Sequence, residues 1–237
     1  MTSRASPIRG LFITGTDTGV GKTTVAAAIV RHWRNQGLRV GAYKPVASGC
    51  ETGLQGESVW GDVEAYHEAL NREFPRERIC PQQFSAPLAP PVAARQEGRT
   101  VDDALLISGV QWWTPRVEVL VVEGAGGLLS PLSEALSNAD LAQSLGWDLL
   151  IVARRGLGTI NHTLLTVEAA ERRGLRIVGV VLNAAQPTPG DQSLDSNPHE
   201  LARRCSAPIL SVLPYSPDGD LLHHPAFLRM MDLLRDC

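Results

Sequence analysis

Lysine is almost missing from this sequence. Of its 22 basic side chains, 20 are arginine and only two, Lys22 and Lys44, are lysine. A GC-rich genome that drifts toward arginine explains the scarcity but not the positions. Lys22 lies in GVGKTT and Lys44 in YKPVASG, each just beyond a predicted strand. A compact ammonium does there what a broad planar guanidinium cannot, so both lysines are read as functional. An excess of positive charge is also lacking. With a formal net charge of −3, the chain has no overall basic field to hold nucleic acid or an anionic membrane, and neither partner is expected. No apolar run approaches the roughly 20 residues of a spanning helix, and the opening MTSRASPIRG has no apolar segment for an export signal, so a cytoplasmic location is expected. Cysteine is sparse: Cys50, Cys80, Cys205 and Cys237 form no Cys-x-x-Cys pair and have no clustered histidines, which predicts reduced, structural thiols.

What is present fits one compact domain over residues 1–237, with 43% hydrophobic and 20% charged residues. Aliphatic and β-branched runs at Leu11 to Thr14, Arg39 to Tyr43, Val117 to Val122, Asp148 to Ala153, Ile177 to Leu182 and Pro208 to Leu213 read as buried strands. Segments of helical spacing lie between most of them, such as Val25, Ala28, Ile29 and Trp33. The alternation implies a mainly parallel sheet covered by helices on both faces. Gly37 and Gly174 are expected helix stops, each opening a Gly-Leu-Arg turn into the next strand. Residues 47 to 100 read as a long functional insertion with one short helix near Asp62 to Leu70. Ala184 to Asn197 reads as a mobile surface loop.

The stretch FITGTDTGVGKTT carries the first clear chemistry. A buried strand, a glycine-rich turn, Gly21-Lys22-Thr23 and then a helix match the phosphate-loop motif. With the alternating elements, this predicts a three-layer α/β P-loop NTPase fold. Gly19, Val20, Gly21, Lys22, Thr23 and Thr24 would cradle the phosphates of a nucleotide through backbone N–H groups and the helix N-terminus. Lys22 would reach terminal phosphate oxygens, and the Thr23 hydroxyl could ligate Mg²⁺. The spacing is irregular, because Thr16 stands where the usual motif has its first glycine. Glu123 ends an apolar run and precedes glycines, which suits a metal ligand at a strand end. Asp62 is weaker by itself, since acids at helix starts are usually caps or solvated. Lys44 and the nearby Ser48 would share the sheet edge with the phosphate loop. A purely hydrolytic ATPase does not need them, whereas a transferase does, to hold an anionic reactant beside the γ-phosphate.

Taken together, TGTDTGVGKT, YKPVASG, FSAPLAPPVAARQEG, VVEGAGGLLSPL, GLGTINHTLLT and VVLNAAQ resemble the dethiobiotin synthetases of the biotin pathway, from about residue 11 to 215. That family's loop carries the extra residue that makes Thr16 look irregular. The resemblance implies ATP-dependent closure of a ureido ring: 7,8-diaminononanoate takes up CO₂, ATP phosphorylates the carbamate, and the second amine cyclises with loss of phosphate. It further implies Lys22 and Lys44 as catalytic residues, with Lys44 stabilising the carbamate, and Thr18 and Ser48 as substrate contacts. Thr23, Asp62 and Glu123 match the metal ligands, with Asp62 also at the nucleotide. Asn183 matches the reader of the adenine amino group, and Pro214 would line the base. Asn161 lies in a segment near a homodimer interface that completes the site for the substrate's carboxylate tail.

Two positions depart from the family pattern. Gly19 stands where many members have an acidic residue, and Pro91 where many have histidine, which implies modest change around the substrate. His223-His224 and the Arg154-Arg155, Arg172-Arg173 and Arg203-Arg204 pairs read as solvated. Two other classes fit the residues less well. A dimeric switch ATPase of the partitioning type would carry a second lysine within the loop, and Thr16 to Val20 contain none. Its membrane-binding tail is a poor match to HHPAFLRMMDLLRDC, where Asp232 and Asp236 oppose anionic lipid. An amidoligase acting on a cobalamin precursor would need a glutamine-hydrolysing domain for which 237 residues leave no room.

Overall fold

The structure, a computed structural model, describes residues 8–234. Cys237, Asp236 and most of the MTSRASPIRG segment lie outside the described residues. In chain order the elements are β1 (Arg9–Gly15), α1 (Lys22–Asn35), β2 (Val40–Tyr43), β3 (Ala47–Ser48), β4 (Glu51–Thr52), β5 (Ser58–Val59), α2 (Gly61–Ala69), α3 (Arg76–Ile79) and β6 (Gln83–Phe84). They continue with α4 (Pro90–Gln96), α5 (Asp103–Ser108), α6 (Val110–Trp113), β7 (Val119–Gly127), α7 (Asn138–Leu145), β8 (Asp148–Arg154), α8 (Thr159–Arg172), β9 (Ile177–Asn183), α9 (Ser193–Arg204), β10 (Ile209–Leu213) and α10 (Pro225–Leu233).

Six strands form the central sheet in the order β10-β9-β8-β1-β7-β2, and every neighbouring pair is parallel. Their middles are almost wholly aliphatic and buried, as in Leu11, Phe12 and Ile13 of β1 or Leu149 to Ala153 of β8. Only a strand covered on both faces tolerates such a run. Right-handed crossovers then fix the layers. From β1 the chain moves through α1 toward β2, whereas α7, α8 and α9 carry it the other way along the sheet. The connections therefore diverge around β1, and a crevice opens beyond its carboxyl end. That is where the loop leading into Lys22 lies.

The two Gly-Leu-Arg turns share one geometry. Gly37 and Gly174 have φ of 85° and 67°, and the amides of Leu38 and Leu175 donate back to Trp33 O and Ala170 O. This is the six-to-one bond of a helix stop that needs a left-handed residue, and glycine adopts that conformation without steric cost.

Three expectations change. The apolar run ending at Val122 belongs to a longer strand, since β7 continues through Glu123 and the glycines to Gly127. The register shifts beside β1 between the pairs Ile13–Glu123 and Gly15–Gly127. Residues 184–197 are not all loop, because α9 begins at Ser193 and includes Pro198. Asp191 accepts a hydrogen bond from Ser193 N, so the polar composition that looked like a loop is in part the turn that leads into a helix. In the middle insertion α4 begins on Pro90, at the first helical position, where a missing N–H costs nothing.

Candidate functional site

The phosphate loop leaves β1 at Gly15. Thr16 N still donates to Val152 O of β8 at 3.0 Å, so the irregular residue is taken up where β1 keeps its pairing beyond its last ladder position. Gly19 and Gly21 have φ of 70° and 88°. Gly21 is doubly required, for a Cβ there would also lie 2.1 Å from Asn183 Nδ2. Val20 is fully buried and offers only its backbone to a ligand. Its carbonyl accepts from Asn183 Nδ2 at 3.0 Å, which ties the loop to the end of β9. Lys22, buried in the first turn of α1, donates to Asp17 O at 3.0 Å. Burial pushes its ammonium below the usual lysine range; Glu123 opposes this and the positive field of Lys44 adds to it.

A cavity of about 820 Å³ opens above this loop. Thr18, Gly19, Gly21, Lys22, Thr23 and Thr24 line it together with Lys44, Ser48, Asp62 and Glu123. The apolar edge comes from Pro87, Leu88 and Pro90. Ser48 Oγ donates to Leu88 O at 2.5 Å, so the hydroxyl is anchored to that edge.

At the floor, three elements bring oxygen atoms together. Thr23 Oγ1 lies 2.7 Å from Asp62 Oδ1 and 3.1 Å from Glu123 Oε1. A hydroxyl has one proton to give, so two carboxylates converging on it require a cation. Lys44 Nζ supplies one, at 2.7 Å from Asp62 Oδ2 and 2.6 Å from Glu123 Oε1, with a further bond to Gly124 O. Burial works against the Lys44 charge, but Asp62 and Glu123 outweigh it and raise its pKa above the usual lysine value. Burial likewise works against ionised Asp62, and Lys44 with Thr23 outweighs it, holding that carboxyl below the aspartate range. The donor set is all oxygen and two-thirds anionic, which fits a hard divalent cation such as Mg²⁺.

Two supports were not seen in the sequence. Tyr66, fully buried on α2, donates its hydroxyl to Glu123 Oε2. Burial, then the Glu123 charge, keep that phenol protonated far above the usual tyrosine range. Asn138, at the start of α7, donates to Ala125 O and Gly127 O and accepts from Ala125 N. It thereby shapes the glycine turn after Glu123. A Ser-Asn-x-Asp helix start was the available signal for Asn138, and the capping box of Ser137 with Asp140 is present.

Several expected residues sit outside the cavity wall. Asn183 is buried beneath the loop rather than lining the cavity. Its amide nitrogen is engaged with Val20, so its carbonyl oxygen is the group suited to accept from an amino group. Pro214 follows β10, and the turn after it comes near Thr24, where a Cβ on Gly219 would lie 3.6 Å from the Thr24 methyl. Asn161 is exposed on the first turn of α8 and lines no part of the cavity of its own chain. Of the two departures, a Cβ at Gly19 would meet nothing within 4 Å, and Pro91 is buried in α4 behind Pro90. His224 is not merely solvated: its ring nitrogen caps α10 by accepting from Ala226 N. Among the described residues no group of three or more His, Cys, Asp or Glu converges, and no helix is long and apolar enough to cross a membrane.

The family model described as "AAA domain" matches residues 9–220. ATP-dependent dethiobiotin synthetase BioD of Anaeromyxobacter dehalogenans strain 2CP-1 is 51% identical over 211 residues, covering 89% of this chain and 92% of that protein. The protein of the same name from Bacillus subtilis strain 168 is 38% identical over 207 residues, 87% of each chain. Among solved structures, the septum site-determining protein MinD complexed with Mg-ADP from Pyrococcus horikoshii OT3 superposes with a TM-score of 0.55 at 14% identity, covering 96% of each chain. The cell division ATPase MinD of Pyrococcus furiosus gives 0.51 at 16%, covering 96% of this chain and 98% of that one. These structures share the P-loop NTPase fold with this chain, and at such identity they speak to the fold alone.

Proposed function

The chain belongs to the ATP-dependent dethiobiotin synthetase family, and from that premise we propose how its residues divide the work. It is an ATP-dependent ligase that closes the ureido ring in biotin biosynthesis, acting on a diaminononanoate. In the proposed sequence one amine of 7,8-diaminononanoate takes up CO₂ and becomes a carbamate. A carbamate oxygen then attacks the γ-phosphorus of ATP, expelling ADP and leaving a mixed carbamic–phosphoric anhydride. The second amine attacks the carbamoyl carbon, the ring closes, and phosphate leaves.

Lys22 and the loop amides hold the transferring phosphoryl group, while Lys44, which lines the same cavity with Ser48, stabilises the carbamate and keeps it in reach. Thr18 and Ser48 contact the diamine or its carbamate. Thr23, Asp62 and Glu123 would hold Mg²⁺, which when bound supplies neutralisation of phosphate charge. The carbonyl oxygen of Asn183 reads the adenine amino group, and Pro214 lines the base. The chain acts as one domain and pairs as a homodimer. Leu157, in the turn before α8, and Leu165 on α8 are 84% and 57% exposed, apolar side chains on either side of Asn161 in the chain that suit a second copy bringing Asn161 to the tail of the substrate.

The observation that carries this reading is the second buried lysine. Lys22 alone would serve any ATPase, but Lys44, 3% exposed, lines the same cavity together with Ser48. ADP formation should require both the diamine and bicarbonate when each is omitted in turn. Turnover indifferent to either omission would overturn the proposal.

A further inference from the structure

Helix α2 carries two residues into the floor of the site. Asp62 in its first turn reaches Thr23 and Lys44, and Tyr66, four residues on and therefore on the same face, reaches Glu123. Glu123 is 1% exposed and Tyr66 is fully buried, so this bond is shielded from water. It also breaks the equivalence of the two carboxylate oxygens. Oε1 meets Thr23 Oγ1 and Lys44 Nζ, whereas Oε2 is held by the tyrosine hydroxyl. A carboxylate without that second anchor can rotate about its terminal bond and present either oxygen, or neither, to the space beside Thr23.

We propose that Tyr66 is a positioning residue for the metal: its hydroxyl pins Oε2 of Glu123 and so aims Oε1 at the place where a divalent cation joins Thr23 and Asp62. This rests on the reading of Glu123 as a metal ligand. Groups that orient a ligand's second atom in this way commonly tune metal affinity without touching the metal. Phenylalanine at position 66 keeps the ring and its packing and removes only the donor.

The test is a Mn²⁺ titration of the full-length chain with ADP, read by loss of the free-ion electron paramagnetic resonance signal, beside ADP binding in excess chelator and thermal unfolding. Tyr66→Phe should weaken Mn²⁺ by about tenfold or more while metal-free ADP affinity and the unfolding temperature hold. Unchanged Mn²⁺ affinity overturns the proposal, as does a parallel fall in all three readouts, which would mark a structural role. Glu123→Gln separates the two readings. If it weakens Mn²⁺ and Tyr66→Phe does not, the ligand assignment stands and the positioning role falls. If Glu123→Gln leaves Mn²⁺ untouched, the ligand assignment falls and the role of Tyr66 with it. Should Tyr66→Phe not fold, Tyr66→Met replaces it, and failure of both shows that the hydroxyl serves folding instead.

Discussion

Lys22 and Lys44 share a cavity but not a task. Lys22 bonds back onto its own loop through Asp17 O, ready to meet phosphate, and Lys44 compensates two carboxylates. Lys44→Gln should reduce turnover on the order of a hundredfold or more while calorimetry finds nucleotide affinity largely kept. Lys22→Gln should lose turnover and also weaken nucleotide by roughly tenfold or more, as expected for a lost charge-assisted bond. Equal loss of nucleotide affinity in both variants would contradict the division. Lys44→Gln also leaves Glu123 buried beside Asp62 without its ammonium. The variant should therefore lose about 3 kcal/mol of stability without divalent cation and recover more of it than the parent when Mg²⁺ is added. Both lysines were legible from composition and position together, because they are the exceptions to an arginine-rich chain and each stands just beyond a strand. Tyr66 was not, since an aromatic at helical spacing reads as core, and its partner lies 57 positions away.

At the scale of elements, the phosphate loop is held from two sides. Its glycines supply the backbone angles, and Asn183, 163 positions distant from Val20, holds its carbonyl from the end of β9. Gly21→Ala meets both obstacles at once, a φ of 88° and a side chain 2.1 Å from Asn183 Nδ2. It should cost about 1–2 kcal/mol in backbone strain alone and reduce nucleotide binding at least on the order of tenfold. Calorimetric binding and thermal unfolding at parental levels would refute this. The six sheet strands were readable because burial on both faces leaves unbroken aliphatic runs, and the two Gly-Leu-Arg turns because left-handed residues favour glycine. The starts of α4 and α9 were hidden for the same physical reason. Proline and small polar residues favour both loops and first helical turns, so composition alone does not distinguish them.

For the whole molecule, the fold and the activity rest on different grounds. MinD ATPases superpose on nearly the full chain at 14–16% identity, yet a shared sheet and loop do not transmit a reaction. The loop of this chain lacks a second lysine between Thr16 and Val20, and its second lysine is instead at position 44, in the lining of the same cavity. That placement, readable in the sequence, is the ground on which we propose carbamate chemistry rather than switching. Pairing of two copies belongs to this scale as well. Sedimentation should give twice the 25.5 kDa chain mass, and Leu157→Asp with Leu165→Asp should yield monomers that still bind ATP but need more diamine for half-maximal rate. A double variant that stays dimeric would remove α8 from the interface.

The burial of both lysines, at 6% and 3% exposure, makes the described surface blind to amine chemistry. Amine-selective acylating reagents, amine cross-linkers and amine coupling to activated supports find no exposed lysine among the described residues. Any slow acylation at Lys22 or Lys44 would instead report how readily a reagent enters the cavity that both line, so a reagent used elsewhere to map surfaces becomes on this protein a gauge of access to that cavity.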